Sequence, residues 1–198
     1  IPRWPTSGGI YEPLYIYNPV QTEWVPWLAT DYSWQDNNKK LLFTIRSGVQ
    51  WSDGKPFTAH DVAYTFNLKK KYPALDTRNS WGYLESVDAV SDTKVVVSFN
   101  RVYVPGFGAI AEQIIIPKHI WRELEDPLKF SNPNPVGTGP FTEVLRFNSQ
   151  VWELGKNPNY WQPGKPHIKK LIFPTHSNNE QTTLSLLSGK LDWAGASI

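Results

Sequence analysis

The chain of 198 residues has no cysteine, no methionine, no long apolar run and no block of one charge. Without cysteine there is no disulfide, no thiol nucleophile and no thiolate metal site, although exported proteins also do without cysteine, so the compartment stays open. No segment approaches the ~20 apolar residues of a membrane span. No charged start followed by an apolar core marks a signal peptide. The 20 basic and 18 acidic residues leave a formal net charge of +2 and are scattered along the chain. No basic face gathers phosphates, so nucleic acid is not an expected partner. The four histidines, His60, His119, His167 and His176, stand apart with no metal-binding spacing and read as solvated or capping residues. A G-x-S-x-G elbow and a dinucleotide fingerprint after a strand are both missing. Glu123, Glu125 and Asp126 precede Pro127 on a short helix, where clustered acids form a solvated face more readily than a glycosidase pair. These absences point to a protein that is not an enzyme and uses no cofactor and no metal. A start at Ile1 in mid-pattern and a stop at Ile198 beside a strand-like run suggest a soluble fragment of a longer protein.

Aromatic side chains are what the chain has in excess: ten Trp, nine Tyr and nine Phe. Flat rings are what sugar rings and peptide side chains stack upon, but rings also dominate cores, and most of these are expected to pack. The length allows one large domain or two small ones, with a core large enough to need no staples.

The organising stretch is Leu41 to Leu68. Leu41, Phe43 and Ile45 alternate with Leu42, Thr44 and Arg46 as in a half-buried strand. Ser52-Asp53-Gly54-Lys55-Pro56 then forces a turn. Thr58 with Asp61 forms a capping box, Phe57 and Val62 a hydrophobic staple, and Ala59, Val62, Ala63 and Phe66 an inward stripe, which together predict a helix. The polar run 36–40 predicts a hairpin ending in the strand at Leu41, and β-branched density predicts a second hairpin over 87–99. Further expectations are a short helix near Ile10 disturbed by Pro13, a helix over 119–125, strands at 151–154 and 168–173, a helix over 180–188 stopped by Gly189, and a closing strand over 190–194. Ser131-Asn132-Pro133-Asn134-Pro135 reads as a rigid connector at a subdomain boundary. Val136-Gly137-Thr138-Gly139-Pro140-Phe141 lacks the ending of a phosphate loop, so its glycines are expected to permit close backbone packing where the chain re-enters a sheet. Asn79, Ser80, Trp81 and Tyr83 form an aromatic and amide cluster that suits polyols or peptide groups, or equally a helix start packing Trp81 inward.

Taken together, the blocks LATDYSW, GVQWSDGKPFTAHDVAYTF, PVGTGPF, KNPNYW and LLSGKLDWAG closely resemble, in order, the oligopeptide-type (family 5) extracytoplasmic solute-binding proteins of ABC importers, across nearly the whole chain. The resemblance implies a mixed α/β fold: a type II periplasmic-binding-protein-like lobe carrying an inserted α+β subdomain. Residues 1–14 and 137–198 would build the main mixed-sheet lobe, 15–136 the inserted subdomain, and a second lobe would follow Ile198. It implies a receptor that captures an oligosaccharide or oligopeptide outside the cytoplasmic membrane and delivers it to the transmembrane subunits of an ABC permease. Such a protein is periplasmic or extracellular and peripheral to the membrane, with a lipid anchor as one form of attachment. The ligand contacts it suggests in this chain are Trp4, Asn79, Trp81, Trp193, Ala194 and Gly195, with Trp81 foremost, and tryptophan richness tilts the ligand toward sugar. The rival readings are a stand-alone carbohydrate-binding module with a flat platform of exposed aromatics, and a glycoside hydrolase fragment with paired carboxylates.

Overall fold

The computed structural model describes residues 9–194. Among these residues nine strands form three antiparallel sheets, accompanied by four α-helices. β1 (Tyr15–Asn18) and β2 (Glu23–Pro26) make a two-stranded ribbon. β3 (Ala29–Gln35), β4 (Lys40–Ile45), β5 (Leu84–Ser91) and β6 (Lys94–Phe99) make a four-stranded sheet in the order β3-β4-β6-β5. β7 (Phe141–Phe147), β8 (Val151–Lys156) and β9 (Lys170–Pro174) make a three-stranded meander. The helices are α1 (Ala59–Lys71), α2 (Gly106–Ala111), α3 (Lys118–Trp121) and α4 (Asn179–Leu187). No described helix is long and apolar enough to cross a membrane.

The period-two pattern of β4 fixes the main core. Leu41, Phe43 and Ile45 are buried while Leu42 and Thr44 are half-buried, and Leu41 pairs with Val97 and Phe43 with Val95 on the same inner face. Helix α1 lies against β5 and β6. Its stripe of Ala59, Val62, Ala63 and Phe66 is buried, each large member contributing about 1.5–3 kcal/mol of apolar burial. The capping box is present in both directions, with Thr58 Oγ1 accepting from His60 N–H and Asp61 accepting from Thr58 N–H. Asp61 also accepts from Lys118 N–H at 2.9 Å, and Thr65 Oγ1 accepts from Ile116 N–H at 3.1 Å, so one face of α1 pins the run leading into α3. The turn before α1 closes through Gly54, at φ +84°.

Four local expectations meet a different chain. Residues 9–14 form no helix, because their carbonyls have partners elsewhere: Gly139 N–H donates to Ile10 O, Phe141 N–H to Gly9 O and Ile115 N–H to Glu12 O. The helix expected over 119–125 is the shorter α3. Residues 190–194 form no strand; Lys190 and Leu191 N–H turn back onto Ser185 O and close the end of α4, with Gly189 at φ +70°. His119 is not simply solvated, since its Nε2 lies 2.8 Å from Asp53 Oδ2 in a partly exposed pair. Helix α2 and strand β7 carry no strong periodic signal and were not expected.

The glycines of 136–141 make the close approach their spacing suggested. A Cβ on Gly137 would overlap Ile10 O, and one on Gly139 would overlap Gly9 O. Because backbone atoms rather than a flexible side chain must yield, Gly139→Ala is expected to destabilise the protein by about 3 kcal/mol, the upper part of the overpacking range. Urea unfolding measures it, and an unchanged midpoint would show that the two segments separate without cost.

Candidate ligand-binding site

Two polar centres and one exposed face hold most of the chemistry of the chain. The first centre is Glu12, buried in the apolar run Ile10 to Leu14. Its Oε1 accepts from Trp27 Nε1–H at 2.8 Å and Tyr160 O–H at 3.0 Å, and its Oε2 from Trp161 Nε1–H at 2.9 Å. Burial pushes the Glu12 carboxyl above its ordinary range, and these neutral donors only partly offset that. Tyr160 is raised as well, by its own burial and by the negative charge of Glu12. Arg46 covers the Trp161 ring at 4.7 Å and donates to Trp27 O at 2.7 Å. Next to this cage, Ser52 N–H donates to Gly137 O, Asn159 Nδ2 to Ser52 O and Asn157 Nδ2 to Gly139 O. Three of the motif blocks, those containing WSDGKPF, PVGTGPF and KNPNYW, therefore meet at one joint.

The second centre is Lys69. It lies 3.2 Å from Asp76 Oδ1, donates to Gln113 Oε1 at 2.7 Å and to Ser80 Oγ at 3.4 Å, and both charged side chains are buried. Burial lowers the Lys69 pKa, with the Asp76 charge working against it. Burial acts to raise that of Asp76, but bonds from Trp81 N–H and Ser80 and the charge of Lys69 outweigh it and hold the carboxyl below its usual range. Asp76 thereby shapes the loop that carries two of the suggested contacts. Asn79 is exposed in a left-handed conformation (φ 49°), and Trp81 follows in a short 3-10 turn over Ser80–Gly82. The Trp81 indole N–H donates to Phe66 O at 2.9 Å, and Lys70 Nζ sits 4.4 Å over its ring. Beside Lys69, a half-open cavity of about 260 Å³ lies between α1, the 75–78 segment and the 112–121 segment.

The exposed face belongs to the other sheet and α4. No residue of α4 is buried, Leu184 and Leu187 are exposed, and Phe147 and Ile172 are exposed on β7 and β9. Trp193 is 71 % exposed. Ala194 is half-buried beside it. Asn79 and Trp81 thus share one loop, Trp193 and Ala194 another segment, and Trp4 and Gly195 lie outside the described residues. The sequence reading passed over Glu12 and Lys69. An acid inside an apolar run, and a lysine that extends the Val62-Phe66 stripe by three residues, are the signals that mark them.

Comparison with known proteins gives one family. The description "Bacterial extracellular solute-binding proteins, family 5 Middle" matches residues 23–198. The chain is 32 % identical to the mannohexaose-bound periplasmic oligopeptide-binding protein of an oligopeptide ABC transporter from Thermotoga maritima, with a TM-score of 0.85, covering 94 % of this chain and 35 % of that one. It is 28 % identical to the nickel-binding periplasmic protein of Escherichia coli strain K12, over 92 % of this chain and 35 % of the relative. It is likewise 28 % identical to the oligopeptide-binding protein OppA of Bacillus subtilis strain 168, over 85 % of this chain and 34 % of the relative. The chain spans about a third of the length of these relatives.

The two centres respond to pH with opposite sign. The folded chain holds the Glu12 proton to higher pH than the unfolded chain, so this group favours folding most at acid pH and its contribution fades as pH rises from about 4.5 through the raised value. Glu12→Gln is expected to remove that fall and, by presenting an amide NH₂ to an indole or phenol donor, to cost about 1–3 kcal/mol. Urea midpoints across a pH series test both parts, and parallel pH profiles for the two proteins would refute the assignment. Asp76, held low, stabilises the fold above its ordinary 3.8 and loses that contribution as pH falls. Asp76→Ala leaves Lys69 buried without a counter-charge, and the expected loss of about 3–5 kcal/mol at neutral pH is read from the same unfolding curves.

Proposed function

The chain belongs to the bacterial extracellular solute-binding proteins of family 5, and from that premise we propose that it serves in the substrate-binding receptor of an ABC importer, capturing a short linear oligosaccharide in preference to an oligopeptide. Residues 1–14 and 137–198 are proposed as part of the first lobe and 15–136 as its inserted subdomain. A second lobe closes on the ligand, excludes water and makes stacking and hydrogen bonds stronger. The receptor works outside the cytoplasmic membrane and hands its cargo to the permease in the closed form. The observation that carries this reading is the match over 23–198 together with the likeness to the mannohexaose-bound protein. An exposed Trp193 ring next to Ala194 supports a sugar, which offers flat apolar faces to such a ring. Asn79 and Trp81 are proposed as a second contact group, Trp81 through the ring face that Lys70 leaves free. Trp4 and Gly195 complete the proposed set.

Neither rival gains from the described residues. A platform needs about three coplanar exposed Trp or Tyr rings, whereas the exposed described ones are Trp193, Tyr17 and Tyr32, and the two tyrosines pack at steep angles, Tyr17 at 54° to Trp24 and Tyr32 at 85° to Tyr15. The cavity beside Lys69 has one lining carboxylate, Glu112, so it offers no acid and base pair for glycoside hydrolysis.

Thermal shift of the full-length receptor with manno-, cello- and xylo-oligosaccharides and with peptides tests the ligand class. A cognate ligand at 100 times its Kd adds about 2.7 kcal/mol of stability. A shift with peptides and none with any sugar would overturn the preference for sugar. Trp193→Ala is expected to weaken the ligand by about 1–3 kcal/mol while the unliganded Tm stays put, because an exposed ring contributes little to the fold. Unchanged affinity in that variant would remove Trp193 from the site.

A further inference from the structure

The cavity beside α1 is lined partly by Leu75, Thr77 and Arg78, on the segment that leads to Asn79 and Trp81. Its floor is apolar, made by Leu68, Leu75, Ile116 and Trp121, and its volume of about 260 Å³ is below that of pockets that take drug-sized ligands. The polar atoms of Lys69, Gln113 and Thr65 are already committed. Lys69 Nζ has Asp76, Gln113 and Ser80, Gln113 Nε2 donates to Ile114 O, and Thr65 Oγ1 both donates to Asp61 O and accepts from Ile116 N–H. The mouth is different. Arg78 Nη1 and Glu112 Oε2 face each other at 3.5 Å, both side chains about half exposed. That distance is too long for a good charge-assisted hydrogen bond, so the guanidinium keeps a free fork and the carboxylate free lone pairs.

A ligand must therefore answer an apolar floor and two adjacent opposite charges. An inorganic anion would meet Glu112, a lone cation would meet Arg78, and a neutral sugar could hydrogen-bond to both groups but would neutralise neither and would offer the apolar floor little. A molecule that carries a carboxylate and an ammonium on one carbon, with a short apolar side chain, satisfies all three demands. The guanidinium forks the carboxylate, Glu112 takes the ammonium, and the side chain displaces water from the floor. We propose that this cavity is a binding site for a free α-amino acid with an apolar side chain, distinct from the oligomer site.

Equilibrium dialysis of the full-length receptor with labelled L-leucine tests it, alongside 4-methylpentanoate, which lacks the ammonium, and 3-methylbutylamine, which lacks the carboxylate. One leucine is expected per receptor. Each truncated analogue should bind about tenfold or more weakly, as loss of one charged hydrogen-bond set implies. Arg78→Gln should weaken leucine by a similar factor with the unfolding midpoint unchanged, since Arg78 is half exposed and its ion pair is loose. Leu75→Trp, which fills the floor, should abolish retention. Leucine binding should be unaltered by Trp193→Ala, and by any oligomer that saturates the receptor in thermal shift, mannohexaose included, which separates this site from the oligomer site. Absence of leucine retention, retention that survives Arg78→Gln, or displacement by such an oligomer would overturn the proposal.

Discussion

A single buried carboxylate sets the geometry of the joint on which the two larger sheets depend. Glu12 costs free energy to bury, and it stays in place because two indoles and a phenol from distant segments converge on it. An apolar residue at that position would leave three donors without an acceptor; a smaller acid would not reach them all. The directional requirement of the hydrogen bonds from Tyr160 and Trp161 holds the KNPNYW loop against the segment before β1, and that from Trp27 ties in the entry to β3. Arg46 extends the constraint from the four-stranded sheet, since its guanidinium stacks on Trp161 while its Nε holds the Trp27 carbonyl.

The subdomain around α1 is held by a different device. Asp61 caps its own helix and at the same time accepts from Lys118 N–H, so the order of α1 and the position of α3 are one event. At the other end of α1, Lys69 reaches across to Asp76 and fixes the loop bearing Asn79 and Trp81. The loop proposed to meet ligand is thus seated on the rigid end of a helix, with Trp81 tied by its indole to the helix backbone at Phe66. Precision at a recognition surface commonly comes from such support.

Local signals in the sequence were strong where neighbours in the chain are neighbours in space. The alternation of β4, the turn at Gly54, the capping box of Thr58 and Asp61 and the hairpin over 87–99 are all settled within a few residues, and each is found, the hairpin's first strand starting three residues earlier at Leu84. The misses have a common cause. Residues 9–14 look helical but give their carbonyls to Gly139, Phe141 and Ile115, and no short window contains those partners. The 190–194 segment has strand-like composition, yet a strand needs a neighbour, and its amides fold back on α4. Three of the motif blocks that carry the family resemblance meet at the joint around Glu12 and Ser52 and so identify the scaffold rather than the cargo. Lys69 was hidden by its place in a run of three lysines, where composition suggests a solvated face.

The span of the Glu12 contacts also fixes an order of events as the chain is made. Trp161 lies 149 residues from Glu12 and Tyr160 lies 148. The α1 unit and its hairpin close locally, but the cage stays open until the last third of this segment has emerged. Closing so long a loop is entropically costly and slow relative to local pairing.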